Sequence, residues 1–294
     1  MSPEFEVKLE DIRPLTTHEF DQFRRLAYDT AGISLQTGKE QLVSARLSKK
    51  MRELRIRSYE EYYRFVTRDT TGQALITLID ALTTNHTSFF REAAHFEFLR
   101  TNILPALRGR ERISIWCAAS STGEEPYSMV FSILDELGME ALPRLNILAT
   151  DISTRVLAVA QRGAYTAERF RDFPPQQLRR YLLRGEGKWR DWYMVRKEIR
   201  AVVRFERLNL MDQFSHATPF PVIFCRNVMI YFDRQTQESL VNRLANVLEP
   251  GGHLFIGHAE SLNGLKQPLQ YVRPAIYIKP RPGSGILSKG FSRA

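Results

Sequence analysis

The sequence predicts a doubly wound, Rossmann-like α/β sheet, preceded by a small all-helical domain and carrying a small antiparallel β insertion. Three observations predict it. The stretch Ile113-Ser-Ile-Trp-Cys-Ala-Ala-Ser-Ser-Thr-Gly-Glu-Glu-Pro-Tyr-Ser128 reads as a buried strand, a loop of small residues and the start of a helix, with Pro126 comfortable in the first turn. Asn146-Ile-Leu-Ala-Thr-Asp151 reads as the next parallel strand and ends in a carboxylate. The character of the chain also changes: up to about residue 80 apolar residues recur at helical spacing, whereas after about 112 strands and helices alternate.

The elements follow in order. Phe20, Phe23, Leu26 and Ala27 define one helix, and Val43, Leu47, Met51 and Leu54 define the apolar face of a second. Tyr59 to Val66 continues the pattern after a Ser58 cap. Beyond the first strand come a helix over Tyr127–Leu137, a strand over Asn146–Thr150 and a helix from Thr154 to Gln161. Pro174 and Pro175 open a short helix that places Leu178, Tyr181 and Leu182 on one side. Val202–Leu208 and Val222–Cys225 are strands, and Gln235–Leu248 is a helix closed by Pro250-Gly251-Gly252. His253–Gly257 is the fifth parallel strand, and Gln270–Arg273 with Ala275–Ile278 forms an antiparallel pair at the sheet edge. The expected boundaries are 1–84 for the helical domain and its linker, 85–280 for the α/β domain, and 281–294 for a flexible tail rich in Gly, Ser and Pro.

Composition excludes several classes. The chain has 294 residues, and 43% are hydrophobic, which supplies an ordinary core, yet no apolar run approaches the ~20 residues of a membrane span. Glu4, Glu6, Glu10 and Asp11 do not make a signal peptide, so a cytoplasmic protein is expected. Cys117 and Cys225 fall in buried strands without metal-ligand spacing and the six His are scattered, so reduced thiols and no metal are expected. The excess of 42 Lys+Arg over 33 Asp+Glu gives +9 and favours an acidic partner, nucleic acid or protein.

The loop from Ala118 to Gly123 lets backbone approach a ligand closely. Glu124 and Glu125 then stand where a pyrophosphate binder presents bare N–H groups, so a cationic ligand with hydroxyls or an amino group fits better than a dinucleotide. S-adenosylmethionine has those features. Asp151, 28 residues after Gly123, is placed to accept from ribose hydroxyls, although the dinucleotide fingerprint spaces its acidic residue at about 20 and an Asp before Ser153 is equally an ordinary helix cap. Asn209, Arg226, Asn227, His258 and Glu260 follow other strands and would share the same rim of the sheet.

Four segments together resemble the CheR-type chemoreceptor glutamate O-methyltransferases: Thr84-Asn-His-Thr-Ser-Phe-Phe-Arg91, Ser121-Thr-Gly-Glu-Glu-Pro-Tyr-Ser128, Ala149-Thr-Asp-Ile152 and Phe224-Cys-Arg-Asn-Val-Met-Ile-Tyr-Phe232. The resemblance runs from about Gly32 to Lys279. It implies a class I methyltransferase fold that binds S-adenosylmethionine and releases S-adenosylhomocysteine. It further implies that Asn85, Thr87 and Arg91 close over the methionine end of the cofactor, with Glu125 in the same pocket. Asp151 would hold the ribose, Asn209 and Leu210 would lie beside the adenine, and Arg226 and Asn227 would complete the pocket. Arg91 and Tyr231 would face the reacting centre, and His86 receives no role.

By the same resemblance the substrate is a glutamate side chain on an acidic cytoplasmic helix of a receptor. A glutamate of pKa about 4.3 is already an anionic nucleophile at neutral pH, so no general base is required. The segment Ser44–Arg57 carries six basic residues against Glu53 alone, and Arg46, Lys49, Lys50 and Arg52 are its expected receptor contacts. A solvated charged face is the plain alternative. Residues 188–206, with Trp189, Trp192 and Tyr193, resemble the family's β-subdomain, which in some members takes a receptor-tail peptide by strand addition. A monomer is expected. A nucleic-acid methyltransferase and a non-catalytic S-adenosylmethionine sensor are the alternatives; against the first, the sequence has neither an Asn-Pro-Pro-Tyr-type motif nor a regular stacking platform, and against the second stand the intact Arg91 and Tyr231.

Overall fold

The computed structural model describes residues 12–283, so residues 284–294 of the expected tail lie outside it. Four helices come first: α1 Thr17–Ala31, α2 Glu40–Glu53, α3 Tyr59–Arg68 and α4 Gln73–Leu82. Local chemistry fixes their ends. Thr16 and Glu19 form a capping box at the start of α1, with Arg13 donating to Glu19 Oε2 at 2.7 Å, and Gly32 closes the helix in the left-handed conformation. Ser58 caps α3 by accepting from Glu61 N. The helices bury Phe20, Phe23, Val43, Leu47, Met51, Tyr59 and Tyr62, and Phe23 lies against the rings of Tyr59, Tyr62 and Tyr63. Leu54 does not join this core. The helix ends at Glu53, so Leu54 stays exposed and Ile56, past the turn, is buried in its place.

A helical stretch that the sequence reading lacked follows: α5 Ala93–Phe98, one π-helical turn Leu99–Ile103, and α6 Leu104–Leu107. The α/β domain then runs through β1 Ile113–Ala118, α7 Glu124–Leu137, β2 Leu145–Asp151 and α8 Thr154–Arg162. A small antiparallel sheet interrupts it, formed by β3 Ala164–Thr166, β4 Leu182–Arg184 and β5 Trp192–Val195, with α9 Pro175–Tyr181 between its first two strands. The chain returns through α10 Lys197–Arg200, β6 Val203–Arg207, β7 Phe220–Cys225, α11 Arg234–Val247 and β8 Leu248–Phe255, and ends in the hairpin β9 Gln270–Arg273 and β10 Ile276–Ile278. Strand β8 starts directly after α11: Leu248 and His253 pair with Phe220 and Val222 of β7 across a register shift, and Gly251 and Gly252, between them, bond the backbone of Lys279 instead of closing the helix.

The main sheet has the order β6-β2-β1-β7-β8-β10-β9, parallel through β8 and antiparallel at the hairpin edge. This is the doubly wound sheet expected, and its strand order reverses between the parallel neighbours β1 and β7, the switch point at which such sheets bind ligands beyond the carboxyl ends of the strands. One corrected boundary matters. The small sheet draws on residues 164–195, not 188–206, and Val203–Arg207 is instead the edge strand of the main sheet, paired with β2. Among the described residues no helix is long and apolar enough to cross a membrane.

Candidate active site

A cavity of about 910 Å³, counting its open mouth, lies beyond the carboxyl ends of β1, β2 and β7. The helical domain forms its opposite wall through Ala31, Ile33 and Ile79. The loop after β1, which begins the Ser121–Ser128 motif, supplies Ala119, Ser121 and Glu125, and the end of β2 supplies Asp151. Asn85, Thr87, Arg91, Asn209, Leu210, Arg226, Asn227 and Tyr231 all line it too, so every residue expected at the cofactor or the reacting centre shares one cavity.

Asp151 is 8% exposed and receives Ser121 N on Oδ2 and Ser153 N on Oδ1, each at 2.9 Å. Burial pushes its carboxyl up to about 6 against the pull of these N–H groups. Each oxygen keeps a lone pair, as a ribose diol requires. Glu125 accepts from Arg226 Nη1 at 2.5 Å and from Cys117 Sγ at 3.3 Å. Glu124, its neighbour, turns away toward Arg169 and Thr122, so only one of the two adjacent carboxylates reaches the cavity. The set of Asp80, Glu125 and Asp151 with Ser121, Asn85 and Thr87 suits a cation bearing hydroxyl and amino groups, which is the chemistry of S-adenosylmethionine.

Arg226 is 4% exposed and is the hub below the cavity. It bridges Glu125 and Glu92, the latter at 2.9 Å, and donates to the carbonyl of Arg91 at 2.6 Å. Burial alone would raise the Glu92 carboxyl, but Arg226 and further donors hold it below the usual range. Glu92, His95 and His258 bring possible metal-ligand atoms within 4.8 Å of one another. The Arg226 guanidinium on the same Glu92 oxygen opposes a cation there.

The turn after β7 is held from below by Glu260. Its Oε2 accepts from Asn227 N at 3.0 Å and Gly257 N at 2.5 Å, and its Oε1 accepts from Ile230 N at 3.2 Å. A Cβ on Gly257 would stand 2.3 Å from Asn227 Nδ2, so only glycine permits this approach. Asn227 has φ 57°, and Phe90, Glu92, Ala119 and Ser121 also have positive φ. Such backbone is costly for residues with a Cβ and here it concentrates in the segments that build the cavity.

The linker over the cavity is pinned from several sides. Tyr231 Oη accepts from Thr84 N at 2.9 Å and donates to Thr84 O at 3.3 Å. Ser121 Oγ donates to Asn85 O at 2.9 Å, Asp80 accepts from Asn85 Nδ2 at 2.9 Å, and Arg169 donates to Thr87 O at 2.9 Å. Arg91 Nη1 donates to His86 O at 2.9 Å. Asn209 spends its amide on Thr30 O at 2.7 Å, tying the strand-end loop to α1. Sequence reading missed Asp80 and Glu92 as parts of this site. The one available signal was Asp80 itself, a lone carboxylate in the apolar run Ile76–Leu82.

Of the basic residues expected to meet a receptor, Lys49 is exposed, Lys50 pairs with Glu53 and Arg52 donates to Ser48 O at 3.3 Å. Arg46 is different. Its guanidinium turns inward, to Leu82 O and, at 3.2 Å, to Thr84 Oγ1.

With this geometry in place, comparison with known families is decisive. Residues 18–83 match the CheR methyltransferase all-alpha domain and residues 85–278 match the CheR methyltransferase SAM-binding domain. The chain belongs to the CheR methyltransferase family. It is 40% identical over 263 residues to chemotaxis protein methyltransferase 2 of Pseudomonas aeruginosa, covering 89% of this chain and 93% of that one. It is 37% identical over 273 residues to the chemotaxis protein methyltransferase of Borreliella burgdorferi, covering 90% and 95%, and 39% identical over 254 residues to that of Escherichia coli, covering 86% and 87%. The boundary between the two matched domains falls at residues 83–85, in the pinned linker. This CheR protein is therefore an S-adenosylmethionine-dependent methyltransferase, and its cavity lies within the matched SAM-binding domain and against the all-alpha domain.

Proposed function

We propose that this CheR protein transfers the methyl group of S-adenosylmethionine to glutamate side chains of chemoreceptors, forming glutamyl methyl esters and S-adenosylhomocysteine in sensory adaptation. The observation that carries the reading is the buried Asp151 carboxylate, poised at the end of β2 in a cavity roofed by the linker to the helical domain that carries the basic segment Ser44–Arg57. When bound, the cofactor supplies an electrophilic sulfonium methyl. Asp151 takes the ribose, Leu210 packs beside the adenine with Asn209, and Glu125, Asn227, Asn85 and Thr87 line the remainder of the pocket.

The protein's remaining task is orientation. Positioning a nucleophile and excluding water supply ~7–11 kcal/mol of barrier reduction in well-oriented systems. Charge is neutralised as the ester forms, so a partly dry cavity favours the reaction over the separated ions. Arg91 orients a carboxylate at the mouth of the cavity, and Tyr231 walls the methyl site while its hydroxyl keeps the linker down. No side chain has to act as a general base.

Lys49, Lys50 and Arg52 on α2 offer an acidic receptor helix its contacts, joined by the exposed Arg55 and Arg57. The small sheet offers a second one. Trp189 and Trp192 are exposed on it, beside Leu183 and Met194, and its outer strands leave an edge for a receptor-tail peptide. The test is methyl transfer to a receptor cytoplasmic fragment followed by peptide mass spectrometry. The expected adduct sits on glutamate and is lost in mild base. A base-stable adduct, or label on nucleic acid instead, would overturn the assignment.

A further inference from the structure

Thr84 is gripped at every polar group it has. Its N–H and carbonyl bind the Tyr231 hydroxyl, and its side-chain oxygen accepts from Arg46, which also holds the last α4 carbonyl, Leu82 O. Arg46 projects from the middle of α2, the same helix whose outer face carries Lys49, Arg52 and the basic turn after it. Thr83, Thr84, Asn85, His86 and Thr87 all line the cofactor cavity. One side chain thus joins the basic helix to the segment that roofs the cavity, and a guanidinium suits the task because it spans two acceptors at once in a fixed fork.

We propose that Arg46 is a positioning residue for the linker over the cofactor, not a receptor contact, and that through it docking on α2 and cofactor binding are coupled. The linker part stands on the hydrogen bonds alone. The coupling part rests on the reading of α2 as the receptor-docking helix. Because coupling between two binding sites is reciprocal, a receptor helix that draws on α2 changes cofactor affinity by the factor by which cofactor changes receptor affinity.

The experiment uses the full chain and S-adenosylhomocysteine as calorimetric probe, with receptor-fragment KM measured in parallel. Arg46→Ala should weaken S-adenosylhomocysteine binding about 5–10-fold with no receptor present, the scale of one or two hydrogen bonds lost. Thr84→Ala, which leaves α2 untouched, should weaken it less, and the double variant should match Arg46→Ala alone, because both remove the same contact. Arg46→Lys, reaching one acceptor, should fall between wild type and Ala. Arg64→Ala, an exposed charge on α3 paired with Glu60, should bind as wild type does. Wild-type affinity in Arg46→Ala with only the receptor KM raised would make Arg46 a receptor contact and overturn the proposal. Equal losses in Arg46→Ala and Arg64→Ala would overturn it as a mere charge effect. If Arg46→Ala fails to fold, unchanged affinity in both Arg46→Lys and Thr84→Ala refutes it equally. A cofactor loss in Arg46→Ala with receptor KM unmoved by changes at Lys49 and Arg52 would leave the linker role standing and remove α2 as the docking helix.

Discussion

The cofactor cavity and the outer face of α2 both gather charge, and they do it in opposite ways. At the cavity, Asp151, Glu125, Glu92 and Arg226 are buried or nearly so, and each is engaged by neighbours at fixed distances. On α2, Lys49, Arg55 and Arg57 stand in water. A charge-assisted hydrogen bond out of water is worth about 1.5–3 kcal/mol, whereas an exposed ion pair is worth a few tenths to about 1 kcal/mol and is screened by salt. On the proposed reading, the cavity is built for affinity and geometry, and the helix for a loose, repeated encounter. The proposed ester chemistry would strengthen that contrast, since each ester removes one negative charge from the partner and would lower its hold on α2.

The largest effect that can break this comparison lies at Asp151. Asp151→Ala should weaken both S-adenosylmethionine and S-adenosylhomocysteine by about 10–100-fold, from ~1.5–3 kcal/mol of lost hydrogen bonding. Equal calorimetric affinity in wild type and variant would remove Asp151 from the cofactor site.

A pH profile sharpens the same point. Burial raises the free-protein pKa of Asp151 to about 6, so the carboxylate is ionised above that pH and protonated below it. A protonated Asp151 loses an acceptor, so kcat/KM for S-adenosylmethionine should fall as pH drops through about 6, approaching tenfold per pH unit below it. Receptor glutamates titrate lower, near 4.3, and would give a separate limb. Asp151→Asn should lower the plateau and abolish the limb near 6. Its persistence would assign it to another group.

Glu260 should matter less, because it touches the cavity only through the Asn227 turn. Glu260→Ala frees three backbone N–H groups and should cost about 3–10-fold in cofactor affinity, with receptor KM unchanged. A rise in receptor KM with normal cofactor affinity would show that the turn serves substrate and not cofactor.

The cavity was also the more legible of the two regions in the sequence. Asp151, Glu125, Arg226 and Asn227 follow strands, where local pattern and position agree, so they could be named in advance, whereas Asn85, in the linker, was named only through the family resemblance of Thr84–Arg91. What could not be read depends on tertiary contact. Arg46 falls on a helical face that periodicity marks as outward, and nothing local announces that the linker passes within reach of its guanidinium. Glu92, at a left-handed backbone position, pairs with Arg226, which lies far along the chain and is brought to it only by the fold. The stretch 93–107 hid for another reason: its π-helical turn shifts the apolar register midway, so no single helical period spans it. Strands of three residues such as β3 and β4 carry too few alternations to register at all.

The smallest single-site effects belong to α2. Lys49→Glu should raise the receptor KM about 3-fold and leave S-adenosylhomocysteine affinity unaltered, as expected of an exposed charge worth under ~1 kcal/mol. The most direct test of the contrast is then steady-state methylation of receptor fragments by the wild-type protein at ionic strengths between about 0.05 and 0.5 M, over which the screening length shrinks several-fold. The two-region account predicts that KM for receptor climbs steadily with salt while KM for S-adenosylmethionine holds level. A receptor KM indifferent to salt, or a cofactor KM that rises in step with it, would contradict it.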